Sequence, residues 1–110
     1  MKISFKTNKL EKQLTIPKEM KKTFGTMAKK VNQRMKEIEA SENLAVLMKI
    51  PTANCHELTG DRRREFAVNI SVNFRLIFVP DHFPFPVKED KSVDAIRVIA
   101  VRMIGTEDYH

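Results

Sequence analysis

Residues 55–78 read CHELTGDRRREFAVNISVNFRLIF, and the alternation in the second half decides the fold class. Phe66, Val68, Ile70, Val72, Phe74, Leu76 and Phe78 are apolar at every second position, the pattern of a strand or hairpin with one face on a core. The hairpin turn is expected near residues 71–73, although no glycine marks it. Gly60, Asp61, Arg62, Arg63 and Arg64 form a basic turn just after His56. Chemistry, if present, belongs on the polar face of this stretch.

Upstream, residues 1–6 read as a short strand with Ile3 and Phe5 on one face. Asn8 followed by Glu11 resembles a capping box and opens a short helix that brings Leu10 and Leu14 together. Pro17 opens the main helix, because proline loses no partner in a first turn. Met20, Phe24, Met27, Val31, Met35 and Ile38 give that helix its core face. Gly25 costs it about 1 kcal/mol relative to Ala, so a break is expected near Thr26. Residues 41–50 form one more short helical segment, stopped by Pro51.

Downstream, Pro80, Pro84 and Pro86 make residues 80–94 a loop. Residues 95–104 are apolar except at Arg97 and Arg102, which predicts a last strand, central in the sheet and covered on both faces. The fold class is therefore α+β, an antiparallel sheet with N-terminal helices packed on one face, in one domain spanning 1–110.

Charge and cysteine content restrict the function classes. The formal charge is +6 and the pI about 9.6. Residues 1–39 carry eleven Lys or Arg against four Glu, whereas residues 40–110 carry nine against ten acids. Lys22, Lys29 and Lys36 recur in heptad succession on the outer face of the main helix, with Lys18, Lys21, Lys30 and Arg34 beside them. This stripe reads either as a solvated surface or as an electrostatic platform for a phosphate backbone. Arg62, Arg63 and Arg64 read either as a soluble turn, with Asp61 pairing one of them, or as phosphate contacts. The single cysteine, Cys55, excludes an internal disulfide and reads as a small buried hydrophobe in a reducing compartment. No signal peptide or membrane-spanning run is present, so a cytoplasmic location is expected.

Of three histidines, His82 is expected at the surface of the proline-containing loop. His56 stands beside the basic turn, and His110 follows Asp108 and Tyr109 at the chain's end. There is no Gly-rich phosphate loop, nucleophile elbow or Cys/His pair at metal-ligand spacing.

Three segments then carry a resemblance: His56-Glu57-Leu58-Thr59-Gly60-Asp61-Arg62, the run from Val68 through Arg75 to Phe78, and the terminal Asp108-Tyr109-His110. Together, and in this order, they resemble the HigB branch of the RelE/ParE toxin superfamily. The order of elements matches as well, so nearly the whole chain is covered. The resemblance implies a toxin of a type II toxin-antitoxin system, a ribosome-dependent endoribonuclease acting on messenger RNA. It implies a HigA-like helix-turn-helix antitoxin and the ribosome as partners, and neither cofactor nor metal. The catalytic candidates it carries over are His56, Arg75, Asp108, Tyr109 and His110. Thr59 stands where relatives often have Lys, Phe74 where Trp is common, and the 80–94 loop looks longer than the usual turn.

Physical chemistry says why such a set would serve. Metal-independent RNA cleavage needs a base for the 2′-OH proton, an acid for the 5′ leaving oxygen and a cation for the phosphoryl charge. Imidazoles, with a reference pKa near 6.5, can divide the first two roles, and the planar fork of Arg75 suits the third. Tyr109 could stack on a base or hydrogen-bond the 2′-OH, and Asp108 could orient an imidazole. The α-carboxylate on His110 favours a protonated ring, which leans toward His110 as acid. Two other readings stay open: a noncatalytic nucleic-acid- or protein-binding module descended from a toxin, and a ParE-like gyrase inhibitor.

Overall fold

The alternating stretch folds as a hairpin. In the computed structural model, which describes residues 1–108, β3 (Phe66–Asn69) and β4 (Phe74–Pro80) pair antiparallel, with Phe66 opposite Phe78 and Val68 opposite Leu76. The turn falls at residues 70–73, where the Ile70 and Ser71 amides both donate to the Phe74 carbonyl, at 2.8 and 3.1 Å. Val72, expected among the core-facing residues, sits at the turn tip and is 89% exposed. The turn interrupts the alternation, yet the even-numbered residues of both strands keep one face. Phe66 and Phe78 stack across it with centroids 5.8 Å apart.

Five strands form one sheet in the order β1-β5-β4-β3-β2, where β1 is Lys2–Phe5, β2 is His56–Glu57 and β5 is Ala100–Asp108. β1 runs parallel to β5 and the other neighbours are antiparallel. Among the described residues four helices supply the cover: α1 (Asn8–Thr15), α2 (Pro17–Phe24), α3 (Ala28–Ala40) and α4 (Leu44–Met48). Their buried residues, among them Leu14, Phe24, Val31, Ile38, Leu44 and Leu47, join Phe66, Val68, Leu76, Phe78, Val101 and Met103 in the main core. Phe24 meets Phe74 edge-on at 6.0 Å, which places α2 on the even-numbered face of the hairpin. The fold is α+β, with helices on one face of the sheet.

Helix ends follow local chemistry. The cap of α1 is Thr7 rather than Asn8: its hydroxyl accepts the Leu10 amide at 3.1 Å, which reaches the third helical residue. Ile16 is extended because Pro17 disfavours helical backbone before it, and Pro17 then starts α2. Gly25, at φ +58°, ends α2, and a 3₁₀ turn at Gly25–Met27 leads into α3, as the break near Thr26 predicts. Asn43 caps α4 by accepting the Val46 amide at 3.0 Å.

The last strand differs from expectation. Ala95–Arg97 is a 3₁₀ turn that leaves Ile96 and Ile99 exposed, and β5 starts only at Ala100. His82, expected at the surface, is half-buried, and its Nε2 accepts the Ile99 and Ala100 amides at 3.0 and 3.2 Å. Those amides are thereby diverted from a strand ladder. β5 does lie inside the sheet, between β1 and β4, but it is not covered on both faces: Val101 and Met103 are buried while Arg102 is exposed. Pairing with β4 extends it past Ile104 to Asp108.

Arg34 is a further correction. It belongs to the core rather than to the lysine stripe, with 3% of its surface exposed. Its Nε donates to the Asn69 carbonyl and its Nη2 to the Thr52 carbonyl, both at 2.6 Å, while Nη1 pairs with Glu37 at 3.0 Å. We predict that Arg34→Met, which strands two carbonyls and a carboxylate, lowers stability by about 3 kcal/mol. Urea unfolding measures this; a loss below about 1 kcal/mol would show that the staple is dispensable.

Candidate active site

The sheet's second face is open in the sense that no helix packs on it among the described residues. It carries a small apolar cluster of Leu58, Ala67 and Ile77, flanked by Ile104. Around that cluster the strand registers place polar residues. His56 lies opposite Ala67, and Arg75 lies between Asn69 on one side and Glu107 on the other. Cross-strand partners share a face, so His56, Arg75 and Glu107 all project on the side away from the helices.

A bulge in β5 decides this arrangement. Ile77 pairs with Gly105 but Phe78 pairs with Met103, so Ile104 is left without a cross-strand partner. Strict alternation from Val101 and Met103 would put Glu107 on the helix side. The extra residue reverses the phase and sends Glu107 to the open face.

There Glu107 bridges two arginines. Arg75 donates to Oε1 from Nη2 at 2.6 Å and from Nε at 3.2 Å. Arg62 reaches Oε1 from Nη1 at 2.9 Å and Oε2 from Nη2 at 2.8 Å. Arg62 also pairs with Glu65 at 2.9 Å, so its acidic partners are Glu65 and Glu107 rather than Asp61. Hydrogen bonds from Arg62 and then Arg75 hold the Glu107 carboxyl down at about 2, against an ordinary 4.5.

His56, Glu57, Leu58, Thr59, Arg62 and Arg75 line one cleft of ≈ 300 Å³ beside this bridge. The His56 ring is fixed by a 2.8 Å contact from Nδ1 to the Asn54 carbonyl. A carbonyl can only accept, so Nδ1 carries the hydrogen and Nε2 keeps the lone pair in the neutral ring. This cleft can bind an anion on its arginines and offer an imidazole nitrogen beside it. Cys55 has no such role: it is buried, and burial pushes its thiol up to about 12.

The other expected site residues fall elsewhere. Asp108 lies opposite Phe74 and so faces the helix side, across the sheet from Arg75. The bulge that brings Glu107 to the cleft takes Asp108 away from it. Tyr109 and His110 lie outside the described residues. Arg63 and Arg64 are exposed and line a separate groove of ≈ 660 Å³ with Glu57, Asp61, Asp90 and Lys91. The Arg64 guanidinium also sits 4.2 Å from the centre of the Phe85 ring, in the proline-containing loop. Lys22, Lys29 and Lys36 are exposed on α2 and α3, so the sheet separates that stripe from the cleft. Among the described residues, no group of three or more His, Cys, Asp or Glu side chains could hold a metal ion, and no helix is long and apolar enough to cross a membrane.

Solved structures share this architecture. A YoeB/ParE toxin from Agrobacterium tumefaciens superposes with a TM-score of 0.57 at 12% identity, over all of both chains. This is a YoeB/ParE-like fold. A YoeB dimer from Staphylococcus aureus gives a TM-score of 0.55 at 16% identity, over all of this chain and 97% of the other. No family's sequence profile and no curated protein matches the chain. The likeness is therefore one of fold, in element order and sheet topology, and not of overall sequence.

Glu107 itself was missed by sequence reading. Its signal is faint, because the residues from Gly105 to Asp108 lack the apolar alternation that marks a strand. The acid stability of the fold tests its bridge. The folded carboxyl titrates lower than the unfolded one, so the bridge stabilises above the ordinary pKa and its contribution is lost as pH falls from 4.5 through about 2. Glu107→Gln is expected to melt below the parent at pH 7 and with it near pH 2. Thermal melts across that range would contradict the bridge if the two proteins stayed a constant interval apart.

Proposed function

We propose that this chain is a HigB-like toxin of a type II toxin-antitoxin system, a ribosome-dependent endoribonuclease that cuts messenger RNA without a metal. The observation that carries this reading is that His56 and Arg75 line one cleft on the open sheet face, with the His56 Nε2 left as the basic nitrogen. The YoeB/ParE-like fold supports it. In the proposed reaction His56 Nε2 takes the 2′-OH proton and the 2′-oxygen attacks phosphorus. The P–O5′ bond then breaks, leaving a 2′,3′-cyclic phosphate, and His110 donates a proton to the departing 5′-oxygen. Arg75 holds the non-bridging oxygens as charge builds on them. Tyr109 stacks on a base or bonds the 2′-OH. Asp108 stands opposite Phe74, on the other face of the sheet from Arg75.

The reading places the protein in the cytoplasm, with a HigA-like helix-turn-helix antitoxin and the ribosome as partners. Arg63 and Arg64 contact RNA phosphates from their own groove, and Lys22, Lys29 and Lys36 meet ribosomal RNA from the helical side of the molecule.

Induction in cells with mapping of message 5′ ends is the direct test. The parent is expected to truncate messages and arrest growth, and His56→Ala and Arg75→Met each to slow cleavage by about 100-fold or more. Intact messages with DNA damage would favour the gyrase-directed alternative. Truncation at the parent rate in both variants would remove the cleft from catalysis. Joint reversal of Lys22, Lys29 and Lys36 to Glu is expected to weaken ribosome association, most strongly at low salt. Unchanged sedimentation with ribosomes would make that stripe a solvated surface.

A further inference from the structure

We propose that Arg62 and Arg75 together form a phosphodiester seat in which Glu107 is the resident anion, and that the scissile phosphate enters by displacing it. This rests on the endoribonuclease reading and specifies how the cleft receives its substrate.

The geometry is that of an occupied anion site. Two guanidiniums from different segments, the 3₁₀ turn at Gly60–Arg62 and β4, converge on one carboxylate, and Arg62 grips both of its oxygens. A phosphodiester presents the same feature, one negative charge shared over two non-bridging oxygens. Exchanging one for the other leaves the local charge unchanged, whereas a dianionic phosphomonoester would add to it. That favours an internal position of an RNA chain over its phosphorylated end.

Displacement is also structurally feasible. The Glu107 side chain is 29% exposed, so side-chain rotation returns its carboxylate to water while β5 stays paired. Glu65 retains Arg62 through Nε and Nη2, at 3.1 and 2.9 Å, so that fork does not swing away when Glu107 leaves. His56 lines the same cleft, which puts the imidazole next to the seat rather than across the molecule. Glu107 is unsuited to being the base itself. A carboxylate held this firmly in its charged form is a poor proton acceptor near neutral pH.

The test follows the Nε–Hε signals of Arg62 and Arg75 by ¹H–¹⁵N NMR as dimethyl phosphate is titrated into the parent and into Glu107→Gln. Both signals are expected to move together, and the midpoint to fall by about tenfold in Glu107→Gln, because a competing charge-assisted hydrogen-bond acceptor has been weakened. An unchanged midpoint would overturn the proposal. So would weaker binding in Glu107→Gln, since Glu107 would then be organising the arginines rather than competing with phosphate. The parent alone gives a second measurement. At saturating dimethyl phosphate the Glu107 carboxyl ¹³C signal is expected to titrate near the ordinary glutamate value, and titration that stays near 2 would refute displacement. If the endoribonuclease reading fails, messages stay intact while these signals still respond. If the seat fails, messages are cut while the Arg62 signal stays still.

Discussion

The buried guanidinium of Arg34 is the constraint on which the arrangement depends. It reaches from α3 to two carbonyls, at Thr52 in the segment leading to β2 and at Asn69, the last residue of β3. The Asn69 amide in turn donates to the Ala53 carbonyl at 2.8 Å. One side chain thus joins the helical layer, the end of the hairpin and the turn that delivers His56. A charge so deeply buried persists only because each edge of its fork is hydrogen-bonded and Glu37 balances it.

A second constraint acts on the other face. The unpaired Ile104 shifts the phase of β5, and the shift determines which acidic residue of the chain's end meets the arginines. Glu107 comes to the cleft and Asp108 goes to the helix side. Beside the groove of Arg63 and Arg64, positive charge lies on two contrasting surfaces: a cleft where two arginines are neutralised by carboxylates, and a helical stripe of exposed lysines. The first is built for geometric precision, the second for charge density, and the sheet stands between them.

How far the sequence could be read follows from the range of the forces involved. Short-range patterns were legible. Alternation gave the hairpin and its buried face, Pro17 and Gly25 gave the ends of α2, and the periodic Met, Phe and Val residues gave the helical core. Patterns that needed a partner were not. The 95–104 run is as apolar as a central strand, but its first third curls into a 3₁₀ turn, with His82 taking the amides that follow. Arg34 looked like one more cation in a basic stripe, since nothing within α3 reveals two waiting carbonyls 18 and 35 residues further on.

The candidate site divides in the same way. The sequence by itself determined that His56 and Arg75 belong to a half-buried sheet and that Arg75 projects from its polar side, because side-chain direction in a strand follows from the two-residue repeat. Only the tertiary structure decided that Arg62 joins Arg75 on one carboxylate and that this carboxylate is Glu107 rather than Asp108. The reason is physical: a bulge is fixed by pairing between strands distant in the chain, and no alternation within one strand records where its phase will slip.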